Sequence, residues 1–342
     1  MSRDLRGATV AVLGFGNQGE AHALNLRDSG ARVVIGARSG GRGEARARDA
    51  GFPVSALTEA AAAADWVACL LADEAFGPLF ESELQTALRP AATLIFAHGF
   101  NLLYREPRLE PGWDVVLVSP TGPGTALRAA YPGGGMPAYL AVHQDGSGAA
   151  WEKAQAYAEA LGCRPTWRTT VREETEVDLF GEQAVLCGGM NALVTTAFET
   201  LVEAGYSPEI AYLECVHQLS YLAQALHERG VTGLRRGISG TALYGDLTRG
   251  PRVLGPDGKA RLREILEEIR TGGFAREWLA ASARGEGLAE ALERSARHPI
   301  ERARERAVGG SGTEAGQAPT GVSPALPGGP SGPLTGGSDR PG

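Results

Sequence analysis

The chain has 342 residues, 43% hydrophobic and 21% charged, with a formal net charge of −7. That is ordinary globular composition with length enough for two domains, and the acidic balance argues against a general nucleic-acid binder. The four cysteines form no Cys-x-x-Cys pair, which excludes a zinc ribbon or dithiol motif and suits a reducing cytoplasm.

In chain order, the apolar, β-branched run at 8–14 predicts a buried strand. The glycine-rich turn Gly14-Phe15-Gly16-Asn17-Gln18-Gly19 follows, and a helix is expected over 20–29, stopped by Gly30. Residues 32–36 read as a second strand, 43–50 as a helix, 52–55 as a short strand and 57–64 as an alanine-rich helix. Further strands are expected at 66–71, 92–97 and 114–118. Strands and helices alternating in this way build a Rossmann-type, doubly wound parallel sheet. From about residue 170 to about 307 the pattern is helical, which predicts a second, all-α domain. Residues 308–342 are mostly Gly, Pro, Ser and Thr. They cannot bury enough surface to offset chain entropy, so a disordered tail is expected. The expected division is 1–170, 171–307 and the tail 308–342. No apolar signal core opens the chain and no run of about 20 apolar residues is seen, so neither a leader nor a membrane span is expected.

A lone Gly-x-Gly-x-x-Gly is a weak signal, but here it joins a strand to a helix, the context a dinucleotide needs. The first glycine makes the tight turn, and the second lets the backbone approach the pyrophosphate. The third allows close packing of helix on strand, and the helix N-terminus faces the anion. At the end of the second strand, where NAD sites usually carry an acid, stand Arg38 and Ser39, with Arg42 nearby and no acid before Glu44. An arginine there can pair with a 2′-phosphate, so the expected cofactor is NADPH. The alternative is that Arg38 stacks on adenine and tolerates both cofactors.

Asp178 and Glu182 are four residues apart and share one helix face. Two carboxylates so close repel unless a cation lies between them, and hard oxygen ligands suit Mg²⁺. The competing reading is an acidic helix N-terminus that complements the macrodipole. Glu214 and Gln218 repeat the spacing with only one charge, and the neighbouring His217 reads as a packed or solvated histidine. His98, in a loop directly after a strand, lies where loops surround the ligand crevice. The loop Ser119-Pro120-Thr121-Gly122-Pro123-Gly124 reaches the same edge.

These residues resemble the ketol-acid reductoisomerase family in its short-chain form, over roughly 5–305. The resemblance is carried by GFGNQGEAHALNLRDSG at 14–30, AHGFN at 97–101, SPTGPG at 119–124, EETEVDLFGEQAVLCGG at 173–189, ECVHQ at 214–218 and GISGTALYGD at 237–246. It implies a Rossmann domain, a knotted helical domain that dimerises, NADPH and two Mg²⁺ ions. The activity it implies is an alkyl migration in a 2-aceto-2-hydroxy acid followed by hydride transfer to the resulting keto acid. Carried over by motif, Asp178 bridges the metals, Glu182 holds the first and Glu214 the second. Ser239 contacts substrate, His98 lies beside the reacting centre, and Asp73, Glu74 and Gly124 line the cofactor cleft.

The chain departs from the family at four positions and at its end, where the low-complexity tail replaces the family's aromatic ending. Gln218 stands where the family has glutamate, Thr121 where it has lysine, Thr125 where histidine is common and Leu243 where it has glutamate. An amide for a carboxylate weakens a second Mg²⁺. The alkyl shift needs both metals, whereas hydride transfer needs mainly cofactor orientation. The expectation is therefore a reductoisomerase-like NADPH-dependent oxidoreductase that reduces a keto acid or imine with the isomerase step impaired or lost. The alternatives are a genuine ketol-acid reductoisomerase of branched-chain amino-acid biosynthesis, an enzyme with a dinucleotide-like substrate, and a non-catalytic dinucleotide sensor. A homodimer acting on a small molecule in the cytoplasm is expected, with neither nucleic acid nor membrane as partner.

Overall fold

The computed structural model describes residues 5, 6, 8–285 and 288–309. The sheet comprises β1 (Thr9–Leu13), β2 (Arg32–Gly36), β3 (Val54–Ser55), β4 (Trp66–Cys69), β5 (Thr93–Phe96), β6 (Asp114–Pro120), β7 (Met136–Asp145) and β8 (Cys163–Arg168). Their order is β3-β2-β1-β4-β5-β6-β7-β8. The order reverses between β1 and β4, and such a switch point opens a ligand crevice at the strands' carboxyl ends. All neighbours pair in parallel except β6 with β7.

The sheet buries both faces, as a parallel sheet flanked by helices must. Along β1, Val10 and Val12 join one core while Ala11 and Leu13 join the other; along β6, Val116 and Val118 oppose Val115 and Leu117. This period-2 division is why these strands read as unbroken apolar runs. The first helix, Asn17–Asp28, begins inside the glycine motif, earlier than the expected 20–29. Gly19 permits this, because a Cβ there would lie 2.1 Å from the Gly14 carbonyl oxygen.

Beyond β8 the described chain is helical. One continuous helix, Val171–Glu203, has a window of mean hydropathy 1.4 and is long and apolar enough to cross a membrane by length and composition alone. The sequence pattern hides it, since Gly188, Gly189, Asn191, Thr195 and Thr196 break the apolar run. Two small cores anchor the helices. Phe100, Leu179, Ile269 and Ala275 form one, and Phe198, Ala211, Tyr212 and Ala303 form the other. Val308 ends the last described helix, and the rest of the expected tail, from 310 on, lies outside the described residues.

Candidate active site

The glycine turn has the geometry a pyrophosphate requires. Gly14 has φ +97°, and a Cβ there would lie 2.6 Å from the Leu70 carbonyl oxygen of the neighbouring strand end. A Cβ on Gly16 would meet nothing within 4 Å, so its backbone faces open space. The Phe15 ring turns into the core against Phe52, with centroids 5.8 Å apart, and leaves only backbone to the crevice. The loop at 119–124 is stitched to this turn. Gln18 Nε2 donates to Gly122 O at 3.0 Å, and a Cβ on Gly124 would lie 2.0 Å from Asn17 O.

A cleft of about 320 Å³ opens beside the turn, lined by Gly16, Asn17, Gln18, Asp73, His98 and Asn101 among others. Three buried polar atoms around it have no partner: Gln18 Oε1, His98 Nε2 and Asn101 Oδ1. Buried polar atoms are rarely left so unless a ligand or an ordered water supplies the partner. Asn101 Nδ2 donates to Asp73 Oδ1 at 2.8 Å, and burial pushes the Asp73 carboxyl up from its ordinary value. Glu74 follows Asp73 in the first turn of the helix Asp73–Leu79, with its carbonyl oxygen turned to Arg105.

At the cleft's far side the sheet half meets the helical half. Glu174, wholly buried, accepts from His98 Nδ1 at 3.3 Å and from the Gly99 backbone N–H at 3.2 Å. Asp178 Oδ2 also lies 3.3 Å from His98 Nδ1. Burial by itself would lower the His98 pKa, but the Glu174 hydrogen bond and the charges of Glu174, Asp178 and Asp73 outweigh it and raise it to about 9. Burial, with the charges of Glu174 and Glu182, raises Asp178 to about 6 against the opposing pull of His98. His98, Glu174 and Asp178 can bring ligand atoms within 4.8 Å of one another, the group of this kind found among the described residues.

Glu174 is the residue that reading the sequence missed. The four-residue step that pairs Asp178 with Glu182 also pairs Glu174 with Asp178, and that step was the available signal.

The remaining expected site residues lie elsewhere. Glu182 is exposed and opens a π-helical turn, Glu182–Leu186. Glu214 lies in a second π-helical turn, Leu213–His217, and its Oε2 accepts from Gln218 Nε2 at 2.8 Å. Such turns are frequent at functional sites. His217 is packed against Tyr221 with ring centroids 5.4 Å apart. Ser239 caps the helix Gly240–Val253, accepting from Ala242 N–H at 3.2 Å, which leaves its own proton free to donate. Arg38, Ser39 and Arg42 are exposed at the rim after β2.

A doubly wound sheet with this turn at its switch point and a polar cleft beside it defines a nicotinamide-dependent oxidoreductase. Residues 4–166 match the family model described as acetohydroxy acid isomeroreductase, NADPH-binding domain, and 171–308 match ketol-acid reductoisomerase, C-terminal domain. The chain belongs to the ketol-acid reductoisomerase family. It is similar to the structure of an NADH-preferring ketol-acid reductoisomerase from an uncultured archaeon, at 38% identity over 87% of this chain and 93% of that one, TM-score 0.84. At 20% identity it shares its fold with a semialdehyde dehydrogenase NAD-binding protein from Cupriavidus necator, over 77% of this chain and 99% of that one, TM-score 0.59. It also shares its fold with 1-pyrroline-5-carboxylate reductase from Streptococcus pyogenes, at 14% identity over 79% of this chain and 100% of that one, TM-score 0.52.

Proposed function

We propose that this chain is a reductoisomerase-like reductase that takes NADPH and reduces a keto acid or imine, with the alkyl migration impaired. The division of labour is 1–170 for the dinucleotide and 171–307 for metal, substrate and dimerisation. The observation that carries the reading is the Gln218 amide donating to Glu214. It fills a carboxylate oxygen that a second cation would need, and it supplies one negative charge fewer. Thr121 supports it: its hydroxyl donates to Pro137 O at 3.0 Å, so no proton is offered to the cleft from that position.

The dinucleotide fits the open backbone at Gly16 and the unpartnered Gln18, His98 and Asn101 atoms; bound there it supplies the hydride. Arg38 and Arg42 receive the 2′-phosphate. A magnesium ion fits Asp178 and Glu182: burial, with the charges of Glu174 and Glu182, raises the Asp178 carboxyl, and a cation there would relieve it; bound there it would polarise substrate oxygens. His98 keeps a charged imidazole beside the cleft and holds the proton that the reduced oxygen or nitrogen takes up. Glu174 fixes its Nδ1 and leaves Nε2 free.

What the helical half leaves uncovered supports a homodimer. Val185, Leu186, Leu193, Tyr221, Tyr244 and Leu247 are each more than half exposed. Patches of that kind mark an interface. The acidic residues Glu173, Glu174, Glu176, Asp178 and Glu182 along the N-terminal part of Val171–Glu203 argue for a protein partner over a bilayer. Glu214 and Ser239, both exposed, then reach a site shared between copies. The free thiols Cys69, Cys163, Cys187 and Cys215 suit the cytoplasm.

A complete ketol-acid reductoisomerase is the second reading, favoured by 38% identity along nearly the whole length of a family member. One assay separates the two. Dinucleotide oxidation is followed at saturating Mg²⁺ with 2-acetolactate, which must rearrange first, and with the already rearranged 3-hydroxy-2-keto acid. Impaired migration gives turnover on the second at least about 10²-fold above the first, a barrier difference of about 2.7 kcal/mol. Equal turnover establishes the complete enzyme instead.

A further inference from the structure

A second cavity, of about 220 Å³, lies where the two halves of the chain meet and shares no lining residue with the dinucleotide cleft. Tyr104, at the end of the helix Phe100–Tyr104, forms its wall on the side of the sheet half. Arg172 in Val171–Glu203, Arg270 at the end of Pro256–Arg270 and Arg276 in Gly273–Ala283 line it from the helical half. Three guanidinium groups thus surround it, and neither Asp nor Glu is among its lining residues. A step of two residues turns a helix by about 200°, so Arg172 and Glu176 lie on the face opposite Glu174 and Asp178.

The three arginines are positioned without being neutralised. Arg172 Nη1 donates to Glu176 Oε1 at 3.0 Å. Arg270 has two long pairings, its Nε 3.9 Å from Glu176 Oε2 and its Nη1 3.7 Å from Glu267 Oε2. Arg276 Nη1 donates to Thr271 O at 2.9 Å, and Arg276 has no ion pair among the described residues. Three cations are therefore set against Glu176, which two of them share, and Glu267, whose side chain is 64% exposed and screened by water. The helix Gly273–Ala283 adds to the surplus. Its N-cap Gly272 lines the cavity, brings no side chain to cap the helix, and no acid stands in the first turn. Planar guanidinium groups take the oxygens of a phosphate in pairs, and a positive helix end favours its charge. The volume is below the roughly 300–1,000 Å³ of drug-sized ligand pockets, so the ligand is small. A neighbouring cavity of about 430 Å³ shares Leu103 and Arg172 and adds Leu102, Pro107 and Val171, an apolar wall for the organic part of an ester.

We propose that this arginine-lined cavity binds a phosphate group, as the free ion or as a small phosphate monoester, at a site separate from the dinucleotide. Occupied, it ties the Tyr104 helix of the sheet half to three helical segments of the other half. The full chain, held in excess NADPH so that phosphate is kept out of the dinucleotide cleft, is titrated calorimetrically with inorganic phosphate at ionic strength fixed with chloride. The expected result is one phosphate per chain with a dissociation constant of about 1 mM or tighter, and a heat-unfolding midpoint that rises with phosphate. Arg270→Gln and Arg276→Gln should each weaken phosphate about tenfold, with NADPH affinity and the unfolding midpoint in chloride unchanged. Arg276→Lys keeps the charge and should lose less than Arg276→Gln. A parallel titration with butyl phosphate separates the two sources. Tighter binding than inorganic phosphate assigns the site to a monoester, and weaker binding assigns it to the free ion. Absence of phosphate binding, or phosphate binding that both glutamine variants leave unchanged, overturns the proposal.

Discussion

The two halves of the chain solve the burial problem differently. In the sheet half, β1 and β4 to β6 bury residues on both faces, and large side chains such as Phe76, Phe80, Trp113 and Tyr157 are almost wholly enclosed. The glycine turn and the cleft are assembled there within one chain, and the His98–Glu174 contact joins the cleft to the helical half. In the helical half, few positions are buried, and long stretches of helix present Leu, Val and Tyr to the outside. Of the acids expected to hold metal, Asp178 is the one that approaches His98, beside Glu174, while Glu182 and Glu214, with Gln218, stay at the surface. The polar cleft beside the glycine turn is thus complete within one chain, whereas the acids of the proposed metal site are not all brought together in it.

The largest test of that contrast is a pair of truncations. Phe76 stacks on Phe80 and meets Phe96 edge-on, with centroids 5.1 and 5.3 Å apart. Phe76→Ala should cost about 3–5 kcal/mol of unfolding free energy, because a cavity opens in a core that cannot collapse around it. Leu193→Ala, on the exposed helix face, should change it by about 0.5 kcal/mol or less at concentrations where the chain is monomeric. Its cost should grow with protein concentration as dimers form. Denaturant titrations at two concentrations check this, and equal costs for the two variants would erase the contrast.

A smaller effect separates the halves by pH. His22 is fully buried in the sheet half, with Nδ1 3.0 Å from the Tyr157 hydroxyl, and burial lowers its pKa to about 3. The unfolded chain binds a proton there near pH 6.5 and the folded chain does not until about pH 3. Folding therefore loses stability as pH falls through that window, by up to about 1.4 kcal/mol per pH unit, and the contribution is whole above it. His22→Gln should flatten the slope between pH 6 and 4.5 by about that amount. An unchanged slope would mean that the ring is protonated in the folded state.

These contrasts also mark what the sequence conveys. The strands β1, β2, β4, β5 and β6 are legible because each is a short apolar run closed by turn residues, and the glycine turn is legible because its requirements are local. β7 and β8 are not. Only part of β7 is buried, and β8, Cys163–Arg168, exposes every residue after the first, so neither shows a strand's apolar signature. Glu174 is hidden for another reason. Among four acids within six residues, only packing against Gly99 decides which one is buried. For Glu214 and Ser239, the spacing and motif single out the residues, but both are exposed and neither lines the cleft.

The last test concerns that open surface directly. Gln218 and Glu214 lie one helical turn apart, joined by an amide-to-carboxylate hydrogen bond. Gln218→Glu turns the bond into a repulsion between like charges, which should lower stability slightly without added cation. With Mg²⁺ the same pair becomes a two-carboxylate ligand set, and affinity follows ligand charge. Calorimetric titration of the full-length variant should show Mg²⁺ binding about three- to tenfold tighter than in the unmodified chain, with heat-unfolding protection that rises with the ion. Turnover of 2-acetolactate should rise with it but stay incomplete, since Thr121 still offers its proton to Pro137 and not to the cleft. If Mg²⁺ binds no better, the Glu214 face is not part of a metal site, and the helical half contributes Asp178 and Glu182 alone.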